Sequence, residues 1–212
     1  MRVLDLFCGA GGAAMGLHRV WPHAEIVGVD IKPQPHYPFT FVQADAMTYS
    51  LDGFDFIWAS PPCQAFSALK SMYNAKPHPN YIPALRQRLR AYGKPFVMEN
   101  VKGAPLEGAI VLCGSMFRLE VRDASLRRHR LFESNFSITQ PLCSHTRGRV
   151  IGVYGGHGRD RRRTSNKQDF SVADRRHAMG IQWMNGKELS QAIPPAYAEF
   201  IAQQLLIERS TP

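Results

Sequence analysis

Arg2-Val3-Leu4-Asp5-Leu6-Phe7-Cys8-Gly9-Ala10-Gly11-Gly12 decides the fold. The first five residues, with Val3, Leu4 and Leu6, read as a short buried strand. The glycines that follow permit a tight turn, and the sequence after them predicts a helix through about Val20. The pattern then repeats. Glu25 to Asp30 reads as a second strand ending on an acid, Phe39 to Val42 as a third, and Phe54 to Ala59 as a fourth. Ser60-Pro61-Pro62 closes the fourth strand, because proline cannot continue a ladder.

Further on, Tyr81 to Ala91 carries Leu85 and Leu89 at helical spacing, and Pro95 to Glu99 reads as a fifth strand. Ala109 to Leu112 and Leu131 to Phe132 are expected as strands, Val172 to Met179 and Tyr197 to Ile207 as helices. Strands alternating with helices predict an α/β fold with a doubly wound, mostly parallel, Rossmann-like sheet. Ala65 to Asn80 lacks a clear period and reads as a loop.

The chain has 212 residues, enough for one domain with a small insertion and its own core. No stretch approaches the ~20 apolar residues that span a bilayer. The first strand begins at once, leaving no room for a signal peptide, so a cytoplasmic protein is expected. The net charge of +9 suits a polyanionic partner. Much of that charge clusters in Arg147, Arg149, Arg159, Arg161, Arg162, Arg163 and Lys167. The expected organisation is a core over 1–134, a basic segment over 135–171, and a return to the core over 172–212.

Four cysteines in a cytoplasmic chain do not argue for disulfides. Cys113 and Cys143 are spaced too widely for a familiar zinc signature. Cys143-Ser144-His145 offers two ligands, with Cys113 or His129 as others, but buried structural thiols are the favoured reading and no metal is expected.

A glycine turn between strand and helix brings backbone N–H groups close to a ligand. Gly9 and Gly11 supply it, and Asp30, about 20 residues on, is placed to accept from ribose hydroxyls. Asp45 could accept from an adenine amino group and Phe7 could pack on the adenine face. The pattern fits NAD, FAD or S-adenosylmethionine, and also a purely structural turn. Cys63 stands in a stiff proline turn at the carboxyl end of a strand, where open α/β sheets bind ligands. A cysteine there is either a nucleophile or a buried thiol.

In combination, Asp5 to Gly12, Pro62-Cys63-Gln64, Glu99-Asn100-Val101 and Arg128-His129-Arg130 resemble the DNA (cytosine-5) methyltransferase family. Ala178-Met179-Gly180-Ile181 and Ser190-Gln191-Ala192-Ile193-Pro194-Pro195 resemble its ninth and tenth motifs. The resemblance implies S-adenosylmethionine as cofactor, lined by Phe7, Gly9, Gly11, Asp30, Asp45, Pro62 and Gln191. It implies Cys63 as nucleophile, Glu99 as the acid on cytosine nitrogen 3, and Arg128 and Arg130 as holders of a flipped-out base. Two positions depart from the pattern: Leu126 stands where a glutamine opens the arginine motif, and Ser190-Gln191 stands where Gly-Asn is usual.

The residues between the arginine and ninth motifs, Asn135 to Ser171, are too few for a sizeable recognition domain. A short or relaxed target sequence in double-stranded DNA is therefore expected, bound by a monomer, with a partner protein as a possible source of specificity. The setting implied is phage or prokaryotic DNA methylation, such as restriction-modification. RNA or single-stranded DNA is an alternative substrate. An inactive nucleic-acid binder is a second alternative, set against the presence of Cys63, Glu99 and both arginines. An NAD oxidoreductase is a third, but it leaves Pro62-Cys63-Gln64 unexplained.

Overall fold

The computed structural model describes residues 1–66, 78–145, 148–154 and 170–210. The sheet strands are β1 (Arg2–Leu6), β2 (Glu25–Asp30), β3 (Thr40–Gln43), β4 (Phe56–Ala59), β5 (Phe96–Asn100), β6 (Ile110–Leu112) and β9 (Arg130–Ser134). They lie in the order β3-β2-β1-β4-β5-β9-β6. The first five pair in parallel, and β9 runs antiparallel to both β5 and β6. This is the doubly wound, mostly parallel α/β sheet expected.

Helices α1 (Gly12–Val20) and α5 (Pro195–Ser210) cover one face, and α2 (Ile82–Tyr92) covers the other. Strand alternation divides the core between them. Phe56 and Trp58 of β4 join Ala13, Leu17, Tyr197 and Ile201 on the first face. Ile57 and Ala59 join Leu85 and Leu89 on the second. Gly16 lets α1 and the start of α5 meet closely: a β-carbon there would stand 2.2 Å from the Pro195 carbonyl oxygen.

Arg86, on the inner side of α2, forms a buried pair with Glu133 of β9 at 2.7 Å. Glu133 also accepts from the Glu107 amide, and Arg86 donates to the Pro105 carbonyl. One carboxylate thus ties α2, β9 and the loop before β6.

A second, three-stranded sheet has no counterpart in the sequence reading. It comprises β7 (Glu120–Val121), β8 (Ala124–Leu126) and β10 (Arg149–Ile151), in the order β10-β8-β7. These strands have two or three residues each, too short to show a period. The sheet packs with α3 (Val172–Met179) and α4 (Gly186–Gln191) around Leu126, Ile151, Met179 and Leu189. Ser171 caps α3 by accepting from the Asp174 amide.

Of the basic cluster, Arg149 is held within this sheet. It pairs with Asp123 at 2.7 Å and lies over the Phe170 ring. Arg147 and residues 159, 161–163 and 167 lie outside the described residues, as do 67–77 of the expected loop. Among the described residues no helix is long and apolar enough to cross a membrane.

Candidate active site

Ligands in open α/β sheets bind outside the carboxyl ends of the strands, where strand order reverses. Here that point lies between β1 and β4. A cavity of about 560 Å³ opens there. Its lining comes from the turn after β1 (Phe7, Cys8, Gly9), the ends of β2 and β3 (Asp30, Asp45), the Ser60-to-Gln64 turn, Glu99, Arg130, and Ser190 to Ile193.

On the cofactor side, Phe7 holds φ 57°, a left-handed conformation costly for a non-glycine residue. The Asp30 carboxylate accepts from the Gly9 amide at 3.1 Å and the Lys32 amide at 3.0 Å. Asp45 accepts from the Met47 amide at 2.9 Å. Gly11 is not among the lining residues. It caps α1 with φ 82°, and a β-carbon there would meet Pro38 at 2.6 Å. Its glycine is a requirement of the turn and of the Tyr37-Pro38 segment packed on it. Trp183 donates to the Ala10 carbonyl at 2.8 Å, so the C-terminal part of the chain braces this turn.

On the reactive side, Cys63 is partly buried and faces the same cavity. Burial pushes its thiol pKa up, the negative charge of Glu99 adds to the rise, and Arg130 and Arg128 oppose it. Glu99, 7% exposed, pairs with Arg130 at 3.0 Å. Its pKa is nonetheless raised, because loss of hydration outweighs the two arginines and the Ser60 hydrogen bond. A carboxyl held toward its protonated form can donate a hydrogen bond as well as accept one.

In the sequence Asn100 is only the middle of the motif Glu99-Asn100-Val101. Its Nδ2 donates to the Pro61 carbonyl at 2.9 Å and its Oδ1 accepts from the Val101 amide. It fastens the cysteine turn to the end of β5. Its complete burial is a tertiary property that the motif alone does not reveal.

The two arginines part company. Arg130 opens β9 and lines the cavity. Arg128, 1% exposed, does not line it. Its guanidinium donates to the Val153 and Ser190 carbonyls, while its own carbonyl accepts from Tyr197. Burial and the repulsion of Arg130 lower its pKa to about 9. The resemblance implies that both arginines hold one base, but residues 127–129 lie between β8 and β9 and are not strand, and of the two only Arg130 lines the cavity. Arg128 instead braces the end of α4, whose last residue, Gln191, does line the cavity.

The sequence model of C-5 cytosine-specific DNA methylases matches residues 1–106, half of the chain. The chain belongs to that family. The match spans the glycine turn, Asp30, Asp45, the Cys63 turn and Glu99-Asn100-Val101. No curated protein matches the chain at a significant level.

Among solved structures, the chain is similar to a fibrillarin/Nop5p complex, with 12% identity, TM-score 0.38, and coverage of 63% of this chain and 70% of that one. It is also similar to an RNA methyltransferase from Salinibacter ruber in complex with S-adenosyl-L-homocysteine. That match has 15% identity, TM-score 0.31, and coverage of 68% and 86% of the two chains. Both likenesses are remote.

S-adenosylmethionine is the family's cofactor, and the cavity's donor set fits it. Carboxylates at the ends of β2 and β3 accept from hydroxyl and amino groups, the Phe7 ring offers an apolar face, and the Gly9 backbone allows close approach.

The four cysteines separate by environment. Cys8 is buried at the cavity wall, and burial raises its thiol pKa strongly, which disfavours the thiolate. Cys113 is buried, as expected, but Cys143 is exposed and is not a core thiol. It stands beside His129 and His145, joined there by Cys113.

Proposed function

We propose that this protein methylates carbon 5 of cytosine in double-stranded DNA through a covalent adduct between Cys63 and carbon 6 of a flipped-out base. The observation that carries this reading is the convergence of Cys63, Glu99 and Arg130 on the cavity that also holds Phe7, Asp30 and Asp45. A nucleophile, an acid and a cation thus share one chamber with the cofactor-type residues.

Cytosine carbon 5 is too electron-poor to attack an alkyl donor directly. Addition of the Cys63 thiolate to carbon 6 pushes electrons toward nitrogen 3, where Glu99 delivers its proton. The ring becomes an enamine with a nucleophilic carbon 5. S-adenosylmethionine, when bound, would supply the electrophilic methyl group to carbon 5, its carbon–sulfur bond breaking to leave S-adenosylhomocysteine. Loss of the carbon-5 proton to solvent and departure of the Cys63 thiolate then restore the aromatic ring, and nitrogen 3 returns its proton to Glu99. Arg130 steadies the Glu99 carboxylate and the charge that builds on the base. Asp30 binds ribose hydroxyls, Asp45 the adenine amino group, and Gln191 lies beside the remainder of the cofactor.

Residues 1–134 and 172–212 serve as the catalytic core, and 135–171 as a reduced basic recognition segment. Its arginines other than Arg149 give phosphate contacts, which add affinity with little sequence discrimination. The target is accordingly a short or relaxed sequence.

The deciding experiment supplies purified protein with radiolabelled S-adenosylmethionine and unmethylated duplex DNA, single-stranded DNA or RNA. Label is expected in 5-methylcytosine from duplex DNA and absent with Cys63→Ala. Label confined to RNA or to single strands would overturn the duplex assignment, and full activity of Cys63→Ala would overturn the covalent route. Base-resolution mapping of the methylated DNA is expected to return a short consensus; a long, strict one would contradict the role given to residues 135–171.

A further inference from the structure

Away from the cavity, Cys113, His129, Cys143 and His145 bring two thiol sulfurs and two imidazole nitrogens within 4.8 Å of one another. None of the four lines the cavity. The Cys143 sulfur is 3.2 Å from His145 Nε2 and 3.6 Å from His129 Nε2, and the Cys113 sulfur is 3.4 Å from His145 Nε2. A tetrahedral zinc ion with Zn–S about 2.3 Å and Zn–N about 2.0–2.1 Å sets neighbouring sulfur and nitrogen about 3.6 Å apart. These three sulfur–nitrogen pairs already have nearly that spacing.

We propose that these four residues form a structural zinc site. Two sulfurs and two imidazoles are a donor set that selects Zn²⁺ over the hard cations Mg²⁺ and Ca²⁺. Four protein ligands close the coordination sphere, which marks a structural rather than a catalytic ion. Ser115 supports the assignment. Its hydroxyl donates to the Cys113 sulfur at 3.4 Å and lies 3.8 Å from the Cys143 sulfur. A hydroxyl shared between two sulfurs is the outer-shell partner that thiolate ligands need. Apolar packing does not account for the group, since Cys143 and His145 are exposed.

The ligands come from three segments, two of them at the paired ends of β6 and β9 and the third beyond that sheet. Cys113 follows β6, His129 stands between Arg128 and Arg130 ahead of β9, and Cys143 and His145 lie on the chain leaving β9. The ion therefore clamps the strand entering the active site to the chain that leads into the basic segment. It also fixes the stretch from Asn135 to His145, which forms no strand or helix of its own.

The test uses full-length protein carrying no polyhistidine tag, purified under reducing conditions from zinc-supplemented cells without chelators. Elemental analysis is expected to give about one zinc per chain. Cys143→Ser and His145→Ala are each expected to lower that content to background, and Ser115→Ala to weaken zinc binding about tenfold while keeping full occupancy at saturation.

A variant that fails to fold is bypassed with wild-type protein, stripped and titrated with Co²⁺. Sulfur-to-cobalt charge-transfer bands and the visible bands of tetrahedral cobalt, both displaced by Zn²⁺, are the expected result. Protein that is isolated without metal and takes up no Co²⁺ overturns the site, as does a Cys113–Cys143 disulfide in the native protein or full zinc content in Cys143→Ser. Each readout is independent of methyl transfer, so the catalytic proposal can fail without touching this one.

Discussion

Arg130 Nε stands 3.0 Å from Glu99 Oε1, and the carboxyl it pairs with still resists ionisation. Burial penalises the charged form more than the guanidinium rewards it. The pair sets the charge felt by Cys63, whose thiol is raised first by burial and then by the Glu99 charge.

Glu99→Gln is therefore expected to have two opposite effects. It removes a negative charge near the thiol, so the pH profile of Cys63 alkylation, read by peptide mass spectrometry, should move to lower pH. It also removes the proton donor, so methyl transfer should fall by roughly 10²–10⁴-fold. An unmoved alkylation profile would show that Glu99 does not govern the thiol.

Asp5 offers a second pH test. It is 1% exposed, and loss of hydration raises its pKa to about 8, with only a Tyr37 hydroxyl hydrogen bond at 3.3 Å opposing the rise. The folded state holds its proton where the unfolded chain has released it. Its contribution is fully present below the unfolded pKa near 3.8 and is lost as pH rises toward about 8. Urea unfolding should show stability falling by about 1 kcal/mol per pH unit from pH 5 to 7. Asp5→Asn should flatten that decline; an unchanged slope would assign it to other groups.

The Arg86–Glu133 pair is buried on both sides, with side chains 10% and 2% exposed. Glu133→Gln leaves the buried Arg86 charge with only the exposed Glu107 carboxylate, at 3.2 Å, as counter-ion. The expected loss is about 3 kcal/mol, or a fall in Tm of roughly 6–12 °C. A calorimetric Tm within 2 °C of the parent, with ~2 °C standing for under about 1 kcal/mol, would contradict it.

Asn100→Ala removes the donor that holds the Pro61 carbonyl. Stability is expected to fall by about 1–3 kcal/mol. Activity should fall further, roughly 10²-fold in kcat, because a displaced Cys63 turn loses its alignment with the base. Comparing kcat with S-adenosylmethionine affinity separates the two effects: affinity should hold while kcat drops.

The strand-turn-helix start from Arg2 to Val20, the acids closing β2 and β3, and the Cys63 turn were legible in the chain itself. Their signals are local: a run of apolar residues, a glycine with positive φ, a proline that ends a strand. The family resemblance could be read for the same reason, since each motif is a short contiguous stretch.

Tertiary structure alone decided three matters. It turned Arg128 onto the Val153 and Ser190 carbonyls while Arg130 faced the cavity, a distinction hidden in the repeat Arg128-His129-Arg130. It built a second sheet from strands of two or three residues, too short to carry a period. It gathered Cys113, His129, Cys143 and His145 from positions up to 32 residues apart. Linear spacing cannot report such a convergence, because donor positions in space depend on how β6 and β9 pair and not on the number of residues between them.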